Sequence, residues 1–279
     1  MKKGQSGRLT EQQKEGQGPI TIFHKDAQIH DAEVGNISLR VKNLLVNEYP
    51  MLQFRYRKDL PKKEINEALK KIDGFLGQTL FVESASIKPD GGLIEVLDDN
   101  GNWRVVLVSE AKHQGKDIEN IKAGKLVGKK NNQDLMAAGN AIERAYKNVN
   151  EIANYMLSEC YFPYILFLEG SNFLTENVVV TRPDGRKVTL VYNDGILNRL
   201  DRLTAANYGM PINTNLCENM FVKSGGITIM LQAASIYTKG DGGHWGDDEM
   251  MEVMLDVART SLKMLGKDLF SQITKKQGM

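Results

Sequence analysis

The sequence predicts an α/β fold in which a mixed central β-sheet is flanked by helices. Two uninterrupted apolar runs, VVLV at 105–108 and YILFL at 164–168, have the length and composition of buried strands. Several longer stretches carry apolar residues at spacings of three and four, as amphipathic helices do. Because strands and helices alternate along the chain, helices packed on a mixed sheet would bury the apolar sides of both.

Length and composition are those of an ordinary globular protein. Of 279 residues, 41% are hydrophobic and 25% are charged, and the first residues lack the apolar core of an export signal. No apolar run reaches the roughly 18 residues that span a membrane. Cys160 and Cys217 are too few for a disulfide framework, so we expect a reduced, cytoplasmic protein. Residues 1–18, rich in Lys, Gln, Gly and Ser, predict a flexible N-terminal arm, and 19–279 predict one domain without repeats or linkers.

The predicted elements follow one another in a regular order. Apolar periodicity predicts helices over 37–48, 63–72, 133–160 and 248–270. In the last of these the expected core residues are Met250, Met254, Val257 and Leu262. Further apolar stretches predict strands at 80–82, on both sides of the turn at 98–101, at 163–169, in a hairpin over 177–192, and at 229–236. The lysine-rich stretch 113–130 reads as an irregular loop, which is long enough to indicate a functional or disordered segment.

The strand at 105–112 ends in Glu110 and Lys112, which point to the same face because side chains alternate along a strand. The sequence Asp-Asp-Asn-Gly at 98–101 is a strong hairpin turn signal, and a three-residue loop with glycine in the left-handed position would pair Asp98 with Asn102. That register gives three further pairs: Leu93 with Leu107, Glu95 with Val105, and Asp90 with Glu110. A two-residue loop would instead turn Asp90 to the other face, unless a bulge at Gly91-Gly92 corrects the register.

Asp90, Glu110 and Lys112 together suggest phosphodiester hydrolysis. Two opposed carboxylates repel each other unless a cation lies between them, and Mg²⁺ takes such oxygen ligands while keeping waters and phosphate oxygens. The metal can activate water, and a lysine beside it can orient that water or offset developing charge. The alternative is a surface hairpin whose polar end carries an ion pair. His113, next in the chain, should face the other side of the strand.

The charge distribution also points to nucleic acid. Net charge is only +1, but six lysines lie between 112 and 132, whereas 241–256 hold six acidic residues and no Lys or Arg. A basic stretch beside the candidate site would attract a polyanion, although a solvated loop has the same composition. Asn140 and Arg144 share a helix face, and these side chains suit adenine and guanine respectively. The alternative is an ordinary solvated helix face. Arg199 and Arg202 would be neighbours if helical, and we expect both to contact DNA.

Several well-known catalytic motifs are absent. The chain has no phosphate-binding Gly-Lys loop, no dinucleotide fingerprint, no zinc-ligand spacing and no Gly-x-Ser-x-Gly nucleophile motif, so we expect no nucleotide cofactor. Pro89-Asp90 with Glu110-Ala111-Lys112 does match the catalytic pattern of the PD-(D/E)xK nucleases. Nearly the whole chain resembles the EcoRI family of type II restriction endonucleases within that superfamily. The segments that carry this resemblance are 86–92, 110–117, 134–144 and 195–211.

The resemblance implies a restriction-endonuclease-like fold and a homodimer that cuts both strands of GAATTC after the G, using Mg²⁺. It implies that Asp90 and Glu110 hold the metal with help from the Ala111 carbonyl, and that Lys112 assists the attacking water. The implied base-reading positions are Gln114, Met136, Ala137, Ala138, Asn140, Arg144, Ile196 and Arg202. The stretches 113–130 and 177–192 would be arms that embrace DNA. The alternatives are a repair-type nuclease that reads DNA structure and a catalytically silent DNA-binding protein on the same fold.

Overall fold

The computed structural model describes residues 25–78, 84–125, 139–192, 200, 203 and 211–266, and for 25–32, 139–141 and 224 it describes the backbone alone. The strands, in chain order, are β1 (Phe54–Arg57), β2 (Leu60–Pro61), β3 (Ser86–Ile87), β4 (Leu93–Leu97), β5 (Trp103–His113), β6 (Tyr164–Glu169), β7 (Val178–Thr181), β8 (Lys187–Leu190), β9 (Met220–Ser224), β10 (Ile227–Leu231) and β11 (Ser235–Thr238). The helices are α1 (Lys25–Glu48), α2 (Lys62–Ile72), α3 (Asp117–Lys122), α4 (Gly139–Tyr155) and α5 (Asp247–Met264).

The central sheet has five strands in the order β1-β4-β5-β6-β11. Its first two pairings are antiparallel, and the pairings of β5 with β6 and of β6 with β11 are parallel, so the predicted mixed sheet is confirmed. Helices cover both faces. Ser38 of α1 bonds to Ser109 of β5 on one face (Oγ–Oγ 2.9 Å), and Asn148 of α4 reaches the neighbouring Glu110 on the other.

The helices agree with the periodicity in the sequence more closely at their centres than at their ends. The predicted helix at 37–48 is the second half of α1, and the helix predicted over 63–72 is α2, which begins one residue earlier. In α5 the four predicted core residues are all buried. The described part of α4 ends at Tyr155 rather than near Cys160, because the chain turns there before it enters β6.

The β4–β5 hairpin follows the predicted register only near its turn. Gly101 has φ 77°, Asp98 N–H donates to Asn102 O at 2.8 Å, and Glu95 lies opposite Val105 as expected. A bulge then shifts the ladder between Ile94 and Glu95, so the predicted pairing of Leu93 with Leu107 is wrong and Leu93 lies opposite Val108. The extra residue of the bulge is Val106 of β5, so the bulge does not lie at the two glycines where the sequence suggested that one could form.

Two other segments differ from the prediction. The stretch 113–130 is not an irregular loop throughout, because Ile118 and Ile121 of α3 bury an apolar stripe against the hairpin formed by β7 and β8. That hairpin was expected, and it turns at Gly185 (φ 82°). The single strand predicted over 229–236 is two strands. A turn with positive φ at both glycines of 225–226 pairs β10 with β9, and the chain then changes partner and joins the central sheet as β11.

Some predicted elements lie outside the described residues. These are the N-terminal arm at 1–18, the strand at 80–82, the first turns of the helix from 133, and most of 196–203, of which only Leu200 and Leu203 are described and both are buried. None of the helices within the described ranges is long and apolar enough to cross a lipid bilayer.

Candidate active site

A tight turn brings Asp90 to the edge of β5. Gly92 N–H donates to Pro89 O at 2.9 Å across the turn, and Gly91 N–H donates to Ser109 O at 2.9 Å, which ties the turn to the strand. A Cβ on Gly91 would lie 2.0 Å from Ser109 Oγ, so any larger residue would push the turn away from β5. The conformation of this turn therefore depends on the glycine that follows Asp90.

Glu110 and Lys112 project from the carboxyl end of β5 and meet Asp90 there. Lys112 Nζ lies 2.5 Å from Asp90 Oδ2 and 2.6 Å from Glu110 Oε1. The side chain of Glu110 is only 1% exposed, and those of Lys112 and Asp90 are 19% and 15% exposed. The structure thus brings together the three side chains that the sequence singled out, although Asp90 reaches them from a turn and not as a ladder partner of Glu110.

The Lys112 ammonium lies between the Asp90 and Glu110 carboxylates, where the sequence predicts that a cation is needed. Burial alone would lower the pKa of Lys112, but the negative charges of Glu110 and Asp90 outweigh it and raise that pKa to about 12. Lys112 is therefore protonated at neutral pH, and its charge offsets the repulsion between the two carboxylates.

Two residues that the sequence reasoning missed hold Glu110 in place. The Tyr164 hydroxyl donates to Glu110 Oε2, and Asn148 Nδ2 lies 3.3 Å and 3.2 Å from the two carboxylate oxygens. Burial, followed by the charge of Glu110, raises the pKa of Tyr164 well above its ordinary value, so the hydroxyl keeps its proton and remains a donor. Asn148 follows Arg144 by four positions, a signal that extends the predicted face of Asn140 and Arg144. Tyr164 gave no such signal, because only the parallel pairing of β5 with β6 brings it near Glu110.

The donor set fits a hard divalent cation. Asp90 Oδ2 and Glu110 Oε1 converge on one point, which a positive group already occupies, and both are carboxylate oxygens. Mg²⁺ is usually held by one or two carboxylates together with water and phosphate oxygens. Two carboxylate oxygens already face this point. The residues present are therefore able to hold Mg²⁺.

The described DNA-reading candidates lie close to this site. Gln114 directly follows β5, and its backbone bonds to Glu169 O (2.9 Å) and to Asn172 N–H (3.0 Å) fix its position. A Cβ on Gly170 (φ 94°) would lie 2.4 Å from Gln114 O, so the two segments cross in close contact. Arg144 is exposed on α4, one turn before Asn148, which contacts Glu110. One helix face thus connects the Glu110 carboxylate with a predicted base contact.

The other candidates cannot be placed. Six candidates lie outside the described residues: Met136, Ala137, Ala138, Ile196, Arg199 and Arg202. Of Asn140, only the backbone is described, and it belongs to the first turn of α4.

Known proteins match this chain over nearly its full length. The family described as "Restriction endonuclease EcoRI" matches residues 16–272. The type II restriction enzyme EcoRI of Escherichia coli is 67% identical over 274 residues, which are 98% of this chain and 99% of that enzyme. The type II restriction enzyme RsrI of Cereibacter sphaeroides is 54% identical over 267 residues, 96% of each chain. The predicted fold class and enzyme class are confirmed, and the chain belongs to the EcoRI family of type II restriction endonucleases.

Proposed function

We propose that this enzyme is a cytoplasmic, Mg²⁺-dependent homodimer that cuts both strands of GAATTC after the G and leaves 5′ overhangs. The observation that carries the proposal is the convergence of Asp90, Glu110 and Lys112 on one point at the end of β5. The identity of 67% with EcoRI supports transfer of the specificity implied by the resemblance. A palindromic site suits a two-fold dimer, because each half-site then meets the same protein surface.

Asp90 and Glu110 are the residues that would hold Mg²⁺, assisted by the Ala111 carbonyl. When bound, Mg²⁺ supplies Lewis-acid stabilisation of the phosphate charge and lowers the pKa of a coordinated water. Tyr164 and Asn148 keep the Glu110 carboxylate in one orientation, since both donate hydrogen bonds to it. Such fixed donors reduce the reorganisation that metal binding and reaction would otherwise require.

Lys112 acts in this proposal as a donor and not as the proton acceptor. Without a metal ion, the charges of Glu110 and Asp90 raise the pKa of Lys112 to about 12, so it is protonated before the metal binds. A protonated amine at this position orients the attacking water by donating a hydrogen bond to it and offsets the negative charge that develops on the phosphate.

The proposal assigns sequence reading to nine residues, of which only Gln114 and Arg144 have described side chains. Gln114 and Arg144 approach the DNA from β5 and α4, and the remaining contacts come from Met136, Ala137, Ala138, Asn140, Ile196, Arg199 and Arg202. Base contacts of Asn with adenine and of Arg with guanine each contribute about 1–3 kcal/mol of discrimination. DNA bending would add indirect readout, as the resemblance to the EcoRI family implies.

The test is a digest of a plasmid with mapped GAATTC sites, with and without Mg²⁺. We expect Mg²⁺-dependent fragments whose ends map to each site, and no cutting at a site in which one base has been changed. Glu110→Gln should abolish cutting, and the same substitution at the exposed Glu252 of α5 should not. Plasmid left intact at every GAATTC would refute the proposal.

Two further outcomes separate the alternatives from one another. Cutting that ignores the changed base would indicate a repair-type nuclease. Binding to GAATTC duplex without nicking over a long incubation would indicate a catalytically silent DNA-binding protein.

A further inference from the structure

A second group of metal-binding side chains lies on the opposite face of the same strand end. His113 follows Lys112 directly and therefore points away from the catalytic trio. His113 Nδ1 lies 3.0 Å from Glu169 Oε1, and His244 Nδ1 lies 3.1 Å from the same oxygen. One ligand atom from each of the three residues falls within 4.8 Å of the others. We propose that His113, Glu169 and His244 bind a first-row transition-metal ion such as Zn²⁺, in addition to Mg²⁺ at the catalytic carboxylates.

The fold fixes two of the three ligands rigidly. His113 ends β5, Glu169 ends β6, and the parallel register places them opposite each other. The Glu169 side chain is only 1% exposed, and its second oxygen accepts a hydrogen bond from Trp245 N–H at 2.8 Å. That bond turns Oε1 toward the two imidazoles. His244 comes from the loop before α5 and is 58% exposed, so a metal ion can reach the cluster from solvent on its side.

Both Nδ1 atoms are placed to bind one metal ion, which would take the place of the protons that they share with Glu169 Oε1. The two rings are stacked with their centroids 5.1 Å apart and their planes within 8°, so both Nδ1 atoms approach the same carboxylate oxygen. His244 Nε2 lies 3.2 Å from Glu119 Oε1 of α3. A carboxylate that accepts the outer N–H of a ligating histidine is the usual second partner at protein metal sites. His113 Nε2 is buried and has no hydrogen-bond partner among the described residues.

The donor chemistry selects the class of ion. Two imidazole nitrogens and one carboxylate oxygen suit Zn²⁺, Cu²⁺ or Ni²⁺, whereas Mg²⁺ prefers oxygen donors. Three protein ligands leave a fourth position for water or another group, as in open zinc sites. The sequence contains no zinc-ligand spacing because the ligands come from three distant points of the chain, at 113, 169 and 244. Only the packing of β5, β6 and the loop before α5 assembles them.

The test is calorimetric titration of the full-length protein with ZnCl₂, without DNA and with excess Mg²⁺ present to occupy the catalytic carboxylates. We expect one Zn²⁺ per chain. His244→Gln, a change at an exposed side chain, should weaken Zn²⁺ binding by about 10–100-fold or more. Loss of a residue that only supports a metal ligand already costs about 10–100-fold in affinity. Glu252→Gln, at an exposed side chain of α5, serves as the control, for which we expect unchanged affinity.

Two results would overturn the proposal. One is the absence of Zn²⁺ uptake by the unmodified protein, and the other is Zn²⁺ binding by His244→Gln that is as tight as that of the unmodified protein. Glu110→Gln distinguishes the two faces, because loss of Zn²⁺ uptake in that variant would place the ion at the catalytic carboxylates instead. Circular dichroism of each variant checks that it is folded. Since the readout is binding in the absence of DNA, the result does not depend on the proposed cleavage of GAATTC.

Discussion

The two faces of the β5 end carry different donor sets within four residues. On one face Glu110 and Lys112 meet Asp90, so that two carboxylate oxygens surround an ammonium in a mostly buried position. On the other face His113 meets Glu169 and His244, so that two imidazoles converge on one carboxylate oxygen. Strand alternation alone separates an oxygen site from a nitrogen-rich site. The side chains on each face of a strand end therefore decide which ion that face can bind. The position of the strand in the fold does not decide it.

The two faces also differ in what completes them. The first is complete within the sheet and its adjoining turn, because the Lys112 ammonium already balances the carboxylates. The second depends on His244, which lies in a loop and is more than half exposed. We therefore expect substitutions on the first face to affect cleavage and stability together, whereas His244→Gln, at an exposed side chain of the second face, should affect metal uptake alone.

The largest effect is expected from Glu110→Gln. Loss of this carboxylate should lower the rate of Mg²⁺-dependent cleavage by roughly 10²–10³-fold or more, since it removes one of the two proposed ligands of the ion that stabilises the negative charge on the phosphate. Single-turnover cleavage of a GAATTC duplex measures this rate, and Glu252→Gln is the matched control. Zn²⁺ binding by Glu110→Gln should equal that of the unmodified protein. Loss of both properties in this variant would place Zn²⁺ at the Asp90 and Glu110 carboxylates and contradict the assignment of separate ions to the two faces.

Lys112→Met should reduce both activity and stability. Without the ammonium, the Asp90 and Glu110 carboxylates repel each other, and an unsatisfied buried polar group costs about 1–3 kcal/mol. Thermal or urea unfolding in EDTA should show this loss, and added Mg²⁺ should stabilise Lys112→Met more than the unmodified protein, because the ion replaces the missing charge. Lys223→Met, at an exposed position of β9, is the matched control. Equal stability of the two variants in EDTA would contradict the account.

Tyr164→Phe should affect the metal requirement more than the maximal rate. The variant keeps the ring in the core but removes the donor to Glu110 Oε2. We expect the Mg²⁺ concentration for half-maximal cleavage to rise about 10–100-fold, as for other residues that orient a metal ligand. Tyr146→Phe removes a hydroxyl from a tyrosine that is 45% exposed on α4 and should change nothing. A fall in maximal rate at saturating Mg²⁺, with no change in the metal requirement, would argue against this role of Tyr164.

The sequence predicted the elements that local patterns determine. The apolar run of β5, the alternation that brings Glu110 and Lys112 to one face, and the left-handed glycine of the β4–β5 turn all follow from neighbouring residues. The position of Asp90 was inferred from an uninterrupted ladder, whereas the structure places it in a turn fixed to β5 by Gly91. The expectation that the three side chains meet was sound, although the register behind it was only partly correct.

What the sequence did not reveal depends on contacts between distant segments. Tyr164 reaches Glu110 through a parallel pairing that no local signal specifies, and His244 reaches Glu169 across 75 positions. The bulge at Val106 of β5 also gave no local signal, and it lies opposite the fully buried Glu95, whose carboxylate accepts a hydrogen bond from Arg55 Nε at 2.6 Å. Composition and periodicity cannot identify such pairs.

The smallest expected effect concerns pH. It tests whether Lys112 of the metal-free protein stays protonated up to about pH 9. A group whose pKa is raised by folding, here from 10.5 to about 12, contributes stability that is fully present below the unfolded value and is lost as the pH rises through the folded value. The difference in unfolding free energy between the unmodified protein and Lys112→Met should therefore stay constant, to within a few tenths of a kcal/mol, between about pH 6.5 and about pH 9. Urea unfolding of both proteins in EDTA across that range measures it. A difference that shrinks as the pH approaches 9 would mean that Lys112 loses its proton at a lower pH than its pKa of about 12 predicts for the metal-free protein.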